Sequence, residues 1–242
     1  MTKTALIMGC GDDTGAAIAR AFAREGLHVC LSRRPRHAEK LETLAHSIRE
    51  EGGKATPFPV DARDEDAVTE VFDRIESEIG PLEVVIFNIG ANVRFSITET
   101  TARVYKKVWE MAAFAGFLTG REAAKCMLPR GRGTIIFTGA TASLRSGSGF
   151  SAFAGAKFAL RALAQSMARE LGPKNIHVAH VIIDGAIDTN FIREILPDVD
   201  TKRHDDQILN PDDIGATYVM LHNQPRTAWT HELDLRPWSE TF

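Results

Sequence analysis

The apolar run Ala5-Leu6-Ile7-Met8 stops at Gly9-Cys10-Gly11-Asp12-Asp13-Thr14-Gly15, and a helical pattern starts at Thr14. Ala17, Ile18, Ala21 and Phe22 fall at i, i+1, i+4 and i+5, one face of a helix that Gly26 closes. Strand, glycine-rich loop and helix in that order let backbone N–H groups and a helix N-terminus meet a pyrophosphate. Gly9, Gly11 and Gly15 are the loop positions that would make this approach. Asp12 and Asp13 count against it, because carboxylates repel phosphate; they are placed to cap the helix start instead.

Outward from this unit the same alternation repeats. Apolar runs at 27–31, 55–60, 84–87, 133–138, 176–183 and 228–235 alternate with helical patterns at 38–51, 65–79, 102–127, 151–171 and 212–222. Nearly continuous apolar strands between helices predict an α/β fold: a Rossmann-type, doubly wound parallel sheet of about seven strands covered on both faces. The stretch 185–210 is polar and irregular, broken by Pro197. No linker or low-complexity tract interrupts the chain, so residues 1–242 are expected to form a single domain. Ligands of such sheets bind beyond the carboxyl ends of the strands.

Composition narrows the function classes. With 44% hydrophobic and 25% charged residues the chain is neither disordered nor collagen-like. Lys+Arg 29 against Asp+Glu 32 gives a net charge of -3, with no basic excess to follow a nucleic-acid backbone. Cys10, Cys30 and Cys126 are scattered and odd in number, which argues against a disulfide framework or a zinc site, so no metal is expected. No signal-like N-terminus and no apolar stretch of the roughly 20 residues a membrane helix needs leave the expectation of a cytoplasmic protein without a membrane partner.

Further segments carry a specific resemblance. Asp61 lies in Val60-Asp61-Ala62, Asn88-Ile89-Gly90-Ala91 follows the fourth strand, and Phe153-Ala154-Gly155-Ala156-Lys157-Phe158-Ala159-Leu160 opens a long helix. In this order and spacing, together with Gly9 and Gly15, they resemble the short-chain dehydrogenase/reductase family over nearly the whole chain. Asp13 stands where that family has its second glycine, with Gly11 as a substitute. The resemblance implies that Asp61 contacts adenine and that Asn88 and Gly90 line the cofactor site. Thr189 would meet the carboxamide, with Asp184 standing where the family has a proline. At the end of the second strand the NAD-selecting acid is absent. Ser32-Arg33-Arg34-Pro35-Arg36 offers guanidinium groups suited to a 2′-phosphate, so NADP(H) is favoured over NAD(H). The competing reading is a solvated basic loop.

The resemblance also implies hydride transfer coupled to proton transfer by a tyrosine, a lysine, a serine and a helix asparagine. Lys157 matches the lysine. Phe153 falls at the tyrosine, Ala140 at the serine and Ala112 at the asparagine, so three roles are expected to be vacant. Tyr105 and Tyr218 lie far from this segment. Nearby hydroxyls on Thr138, Thr141, Ser143 and Ser151 are weaker acids than a phenol. His177 and His180 read as structural histidines on opposite faces of their strand. Two functions remain: an atypical NADP(H)-dependent oxidoreductase acting on a small molecule, or a non-catalytic cofactor-binding scaffold, sensor or inactive oligomer partner. Trp109, Met111, Phe114, Phe117 and Leu118 give the helix at 102–127 a broad apolar surface, and a homodimer or homotetramer is expected.

Overall fold

The apolar runs become strands of a seven-stranded, all-parallel sheet in a computed structural model that describes residues 2–241. In chain order the strands are β1 (Thr4–Met8), β2 (His28–Arg33), β3 (Lys54–Pro59), β4 (Leu82–Phe87), β5 (Gly133–Thr138), β6 (Ile176–Ile183) and β7 (Glu232–Leu235). The helices are α1 (Thr14–Arg24), α2 (Ala38–Glu50), α3 (Glu65–Arg74), α4 (Ala102–Trp109), α5 (Ala115–Met127), α6 (Ser151–Leu171), α7 (Asn190–Ile195), α8 (Val199–His204) and α9 (Pro211–His222). The strand order is β3-β2-β1-β4-β5-β6-β7, which reverses direction between β1 and β4. Parallel strands need both faces covered, and alternation sends their side chains into two cores. Leu6, Val85, Phe137 and Val178 pack against α3, α5 and α6, while Ile7, Ile86, Ile136 and Val181 pack against α1, α2 and α9. Each fully buried Leu, Ile or Phe in these layers contributes roughly 1.5–3 kcal/mol of transfer free energy.

Several boundaries differ from the sequence expectation, each for a local reason. The helix expected over 102–127 is broken by a π turn at Glu110–Phe114, and the one over 65–79 ends in a π turn at Ile75–Ile79. Such turns insert one residue and re-aim the faces on either side. The last strand is shorter than 228–235: Arg226–Ala228 forms a 3-10 turn, and only Glu232–Leu235 joins the sheet. The irregular 185–210 stretch contains α7 and α8, single-turn helices too short for hydrophobic periodicity to register. Asp188 clips them together, accepting from Arg193 at 2.8 Å and from Arg203 at 2.7 Å. A third apolar cluster joins the π turn to the start of α6 through Ala112, Ala113, Phe153 and Ala156.

Candidate active site

The carboxyl end of β1 sets the geometry. Gly9 has φ +96°, and a Cβ there would lie 2.8 Å from the Asn88 carbonyl carbon. A Cβ on Gly15 would lie 2.7 Å from Cys10 Cα, so α1 can start this close to the strand only with glycine. Gly11 differs: nothing lies within 4 Å of its Cβ position, which faces open space at the strand ends. Asn88 ties the loop down, its backbone N–H donating to Met8 O at 2.8 Å and its side chain to Gly9 O at 3.2 Å.

The two aspartates do not cap α1. Asp13 precedes the helix without a side-chain cap bond and accepts instead from the Asn190 N–H at 3.3 Å, tying the loop to α7. Asp12 accepts from Arg33 at 2.5 Å and Lys40 at 3.0 Å. Burial opposes its ionisation, but those two cations hold its carboxyl below the ordinary range.

A cleft of about 380 Å³ runs over this loop. Gly9, Gly11, Gly15, Arg33, Arg34, Asp61, Asn88, Gly90 and Thr189 all line it, so distant sequence segments converge on one place. Arg33 is already paired with Asp12. Among the described residues Arg34 makes no side-chain hydrogen bond or ion pair, and burial and then Arg36 lower its proton affinity. Asp61 is engaged by Arg63, which donates at 2.9 Å through Nε and 2.5 Å through Nη2, and this holds the carboxyl below its usual range.

A second cleft of about 620 Å³ adjoins the first along Asn88, Ile89, Gly90, Thr14 and Thr189. Phe153, Ala140 and Lys157 line it. Lys157 is 3% exposed, and its ammonium donates to Thr138 O at 2.7 Å and Ile89 O at 3.2 Å. It therefore pins the ends of β4 and β5 to α6. Burial pushes its pKa down to about 8. One helical turn back, the Phe153 ring centre lies 5.9 Å from Lys157 Nζ, a cation–π contact. Ala112 lines neither cleft; it is fully buried in the π turn, and its neighbour Met111 faces the first cleft.

Of the hydroxyls on Thr138, Thr141, Ser143 and Ser151, the two that line the second cleft, on Thr138 and Thr141, are committed elsewhere. Thr138 Oγ1 bonds the Tyr218 hydroxyl at 2.8 Å, and burial raises that phenol's pKa far above its ordinary value. Thr141 donates to Asp184 at 2.6 Å. Ser143 and Ser151 line neither cleft. His177 stacks on Trp229 with ring centres 4.9 Å apart. His180 bonds Glu232 at 3.1 Å, and burial drives its pKa down to about 4, so it is neutral near pH 7. Neither histidine reaches the clefts. All three thiols are pushed up to about 12 by burial, so none is a ready thiolate. Among the described residues no group of His, Cys, Asp and Glu could hold a metal ion, and no helix is long and apolar enough to cross a membrane.

Sequence reasoning missed Arg145 and the role of Asp184. Asp184 is fully buried and accepts from Arg145 at 3.1 and 3.0 Å, as well as from Thr141. No motif flags Arg145 in Leu144-Arg145-Ser146-Gly147; only an unexplained acid at the end of β6 hinted at a buried partner.

A seven-stranded parallel sheet with a glycine loop after β1 and two clefts meeting at the switch point defines a dinucleotide-binding class of protein. The short chain dehydrogenase family matches residues 3–200, and this chain belongs to that family. It is similar to a short-chain dehydrogenase from Rhodopseudomonas palustris, whose crystal structure is 50% identical with a TM-score of 0.84, covering 98% of this chain and 99% of that one. The 2,3-dihydro-2,3-dihydroxybenzoate dehydrogenase of Bacillus subtilis is 28% identical over 190 residues, 78% of this chain and 71% of that protein. A short-chain dehydrogenase/reductase of Armillaria gallica is 30% identical over 177 residues, 73% of this chain and 68% of its own. An alcohol dehydrogenase from Thermococcus sibiricus, 24% identical with a TM-score of 0.86 over 100% of this chain and 99% of that one, has the same fold. The chain is thus a short-chain oxidoreductase by family, and membership implies an NAD(P) cofactor and a small-molecule substrate.

Proposed function

We propose that residues 1–242 form a single-domain, NADP(H)-dependent oxidoreductase of the short-chain dehydrogenase/reductase family with an atypical catalytic centre. In this reading Lys157 is retained, while Phe153, Ala140 and Ala112 occupy the tyrosine, serine and asparagine positions. The observation that carries it is Lys157, locked between two carbonyls where the two clefts meet, with a phenyl ring one turn away. The cofactor fits the first cleft: Gly11 leaves open space beside its backbone, and Arg34 is a cation without an ion-pair partner among the described residues. Gly9, Gly11 and Gly15 would hold the pyrophosphate, Asp61 the adenine, Arg34 the 2′-phosphate, and Asn88, Gly90 and Thr189 the nicotinamide half. When bound, the nicotinamide supplies or accepts a hydride. Lys157 would hold the ribose hydroxyls, and no phenol stands ready to move the proton.

The double variant Phe153→Tyr with Ala140→Ser tests this. A positioned proton donor is typically worth about 10²–10⁴-fold in rate, so NADPH-dependent carbonyl reduction should rise by at least about 100-fold over the unmodified protein. The commitment of Thr138 and Thr141 to other partners also favours a second reading, a non-catalytic cofactor-binding scaffold. A double variant that binds NADPH and stays inert on a broad carbonyl panel would favour that reading.

We further propose a homodimer or homotetramer in the cytoplasm. Trp109, Phe117 and Phe158 are 43%, 40% and 42% exposed, a large aromatic outlay for helices facing water. Sedimentation should give a species of at least twice the 26.6 kDa chain. A monomer alone at micromolar concentration ends that proposal. The three unpaired thiols fit a reducing compartment.

A further inference from the structure

We propose that the second cleft accepts an apolar, ring-sized molecule bearing a carboxylate, and that Arg145 is the group that binds this carboxylate. The inference rests on reading that cleft as the substrate side. Its walls are aromatic and aliphatic, with Phe150, Phe153, Phe191 and Ile192 among them. Among the described residues, Lys157 and Arg145 are its only ionisable lining residues and no carboxylate lines it. An anion brought into such walls needs a partner to offset its desolvation, and a cation would meet two like charges.

The two cations are not equivalent. Lys157 is 3% exposed and already donates to two carbonyls. Arg145 is 40% exposed and is held from behind. Its Nη2 donates to both oxygens of the fully buried Asp184 and lies 3.5 Å from Thr241 O. Its Nε and Nη1 make no hydrogen bond among the described residues, leaving single N–H groups on either side of the bonded Nη2 unspent. Asp184 also accepts from Thr141 and lies 3.3 Å from Arg236, which pairs in turn with Asp234. The balancing carboxylate therefore sits behind the guanidinium, and the face toward the cleft is the positive one. With Nη2 spent on Asp184, a carboxylate meets one remaining N–H in a single charge-assisted bond. A neutral ligand would cover that N–H without the charge assistance. Partial exposure screens the pairing, so the expected preference is modest.

Naphthalene-2-carboxylate, naphthalene-2-carboxamide and 2-naphthylmethylammonium, titrated by calorimetry with and without saturating NADP+, test the proposal. The carboxylate should bind about tenfold tighter than the carboxamide, as expected for one charge-assisted bond, and the ammonium weakest. Arg145→Gln combined with Asp184→Asn, which leaves no buried charge unpaired, should abolish the preference while NADP+ affinity stays within about twofold. Arg145→Lys, whose one ammonium group is held by Asp184 and is left no second nitrogen for the ligand, should retain less than half of it. Equal binding of acid and amide overturns the proposal. So does no binding of any of the three at millimolar concentration, or a preference that survives the double variant and so belongs to Lys157. Failure of NADP+ to bind the unmodified protein would sink the cofactor reading instead, because the carboxylate preference is read without cofactor as well.

Discussion

The two clefts meet at Asn88–Gly90 yet are built on opposite principles. The first is crowded with charges that already satisfy one another: Arg33 with Asp12, and Asp61 with Arg63. Among the described residues, the second is lined by two cations and no acid, set among phenylalanines, isoleucines and alanines. A site full of internal ion pairs is held in shape before any ligand arrives, whereas the apolar site offers shape and one or two polar anchors. On the proposed reading, the difference means that binding the cofactor and moving a proton are separable in this fold. The framework for the first is assembled by glycines and backbone, and the groups for the second are single side chains that can be exchanged without disturbing the sheet.

The most severe way to break the first cleft is through its backbone. Gly15→Ala would place a Cβ 2.7 Å from Cys10 Cα. Overpacking of this kind costs roughly 1–3 kcal/mol, and calorimetry should show a melting temperature lower by about 3–10 °C. Gly11→Ala, with nothing within 4 Å, should leave that temperature unchanged and instead weaken NADPH binding by intruding on the cleft. Equal destabilisation by the two would contradict the assignment of Gly11 to a ligand-facing role.

Lys157 joins the two halves, and pH exposes its cost. In the folded protein its pKa is about 8, against an ordinary 10.5 in the unfolded chain. The unfolded state therefore holds more protons between these values, and stability rises with pH across that window. The gain should be at most roughly 3 kcal/mol. Lys157→Met should flatten this rise in denaturant titrations from pH 7 to 10.5 and should also weaken NADPH binding. A rise of the same size in the variant would mean that another group titrates there.

The arginines sharpen the comparison at its polar end. Arg34→Ala should reduce NADPH affinity about tenfold with little change for NADH, the loss of one charge-assisted contact. The smallest effect should come from Arg33→Ala, because its partner Asp12 lines the same cleft and offsets the guanidinium's charge where the phosphate would sit. Fluorescence titration of both variants with both cofactors ranks them. An equal loss for NADH and NADPH in Arg34→Ala would remove the 2′-phosphate from the account.

Much of the fold was legible because burial on both faces leaves a strong trace: apolar runs such as Val84–Phe87 have few alternatives. The glycine loop was legible because Gly9 and Gly15 have no Cβ to spare. The π turn at Glu110–Phe114 was missed because the apolar residues around it, Trp109, Met111, Phe114, Phe117 and Leu118, cover too much of the helix for a one-residue shift of phase to stand out. The fates of Asp12 and Asp13 were misread for a related reason. Local rules favour an aspartate cap, but Arg33, Lys40 and Asn190 are 21, 28 and 177 residues away, and only folding brings them near.

By itself the sequence determined the parallel sheet, the position of the glycine loop and the presence of a lysine without a tyrosine beside it, because these depend on residue type and short-range periodicity. The tertiary structure alone decided which charges are spent. Arg33 and Arg34 are neighbours of the same type, yet one is paired with Asp12 and the other makes no ion pair among the described residues. Arg145 belongs to no pattern in the chain and becomes a cleft residue because Asp184, 39 positions later, is buried behind it. Electrostatic partners are set by distance in space and by the dielectric of the site, and neither quantity is written in the spacing of residues along the chain.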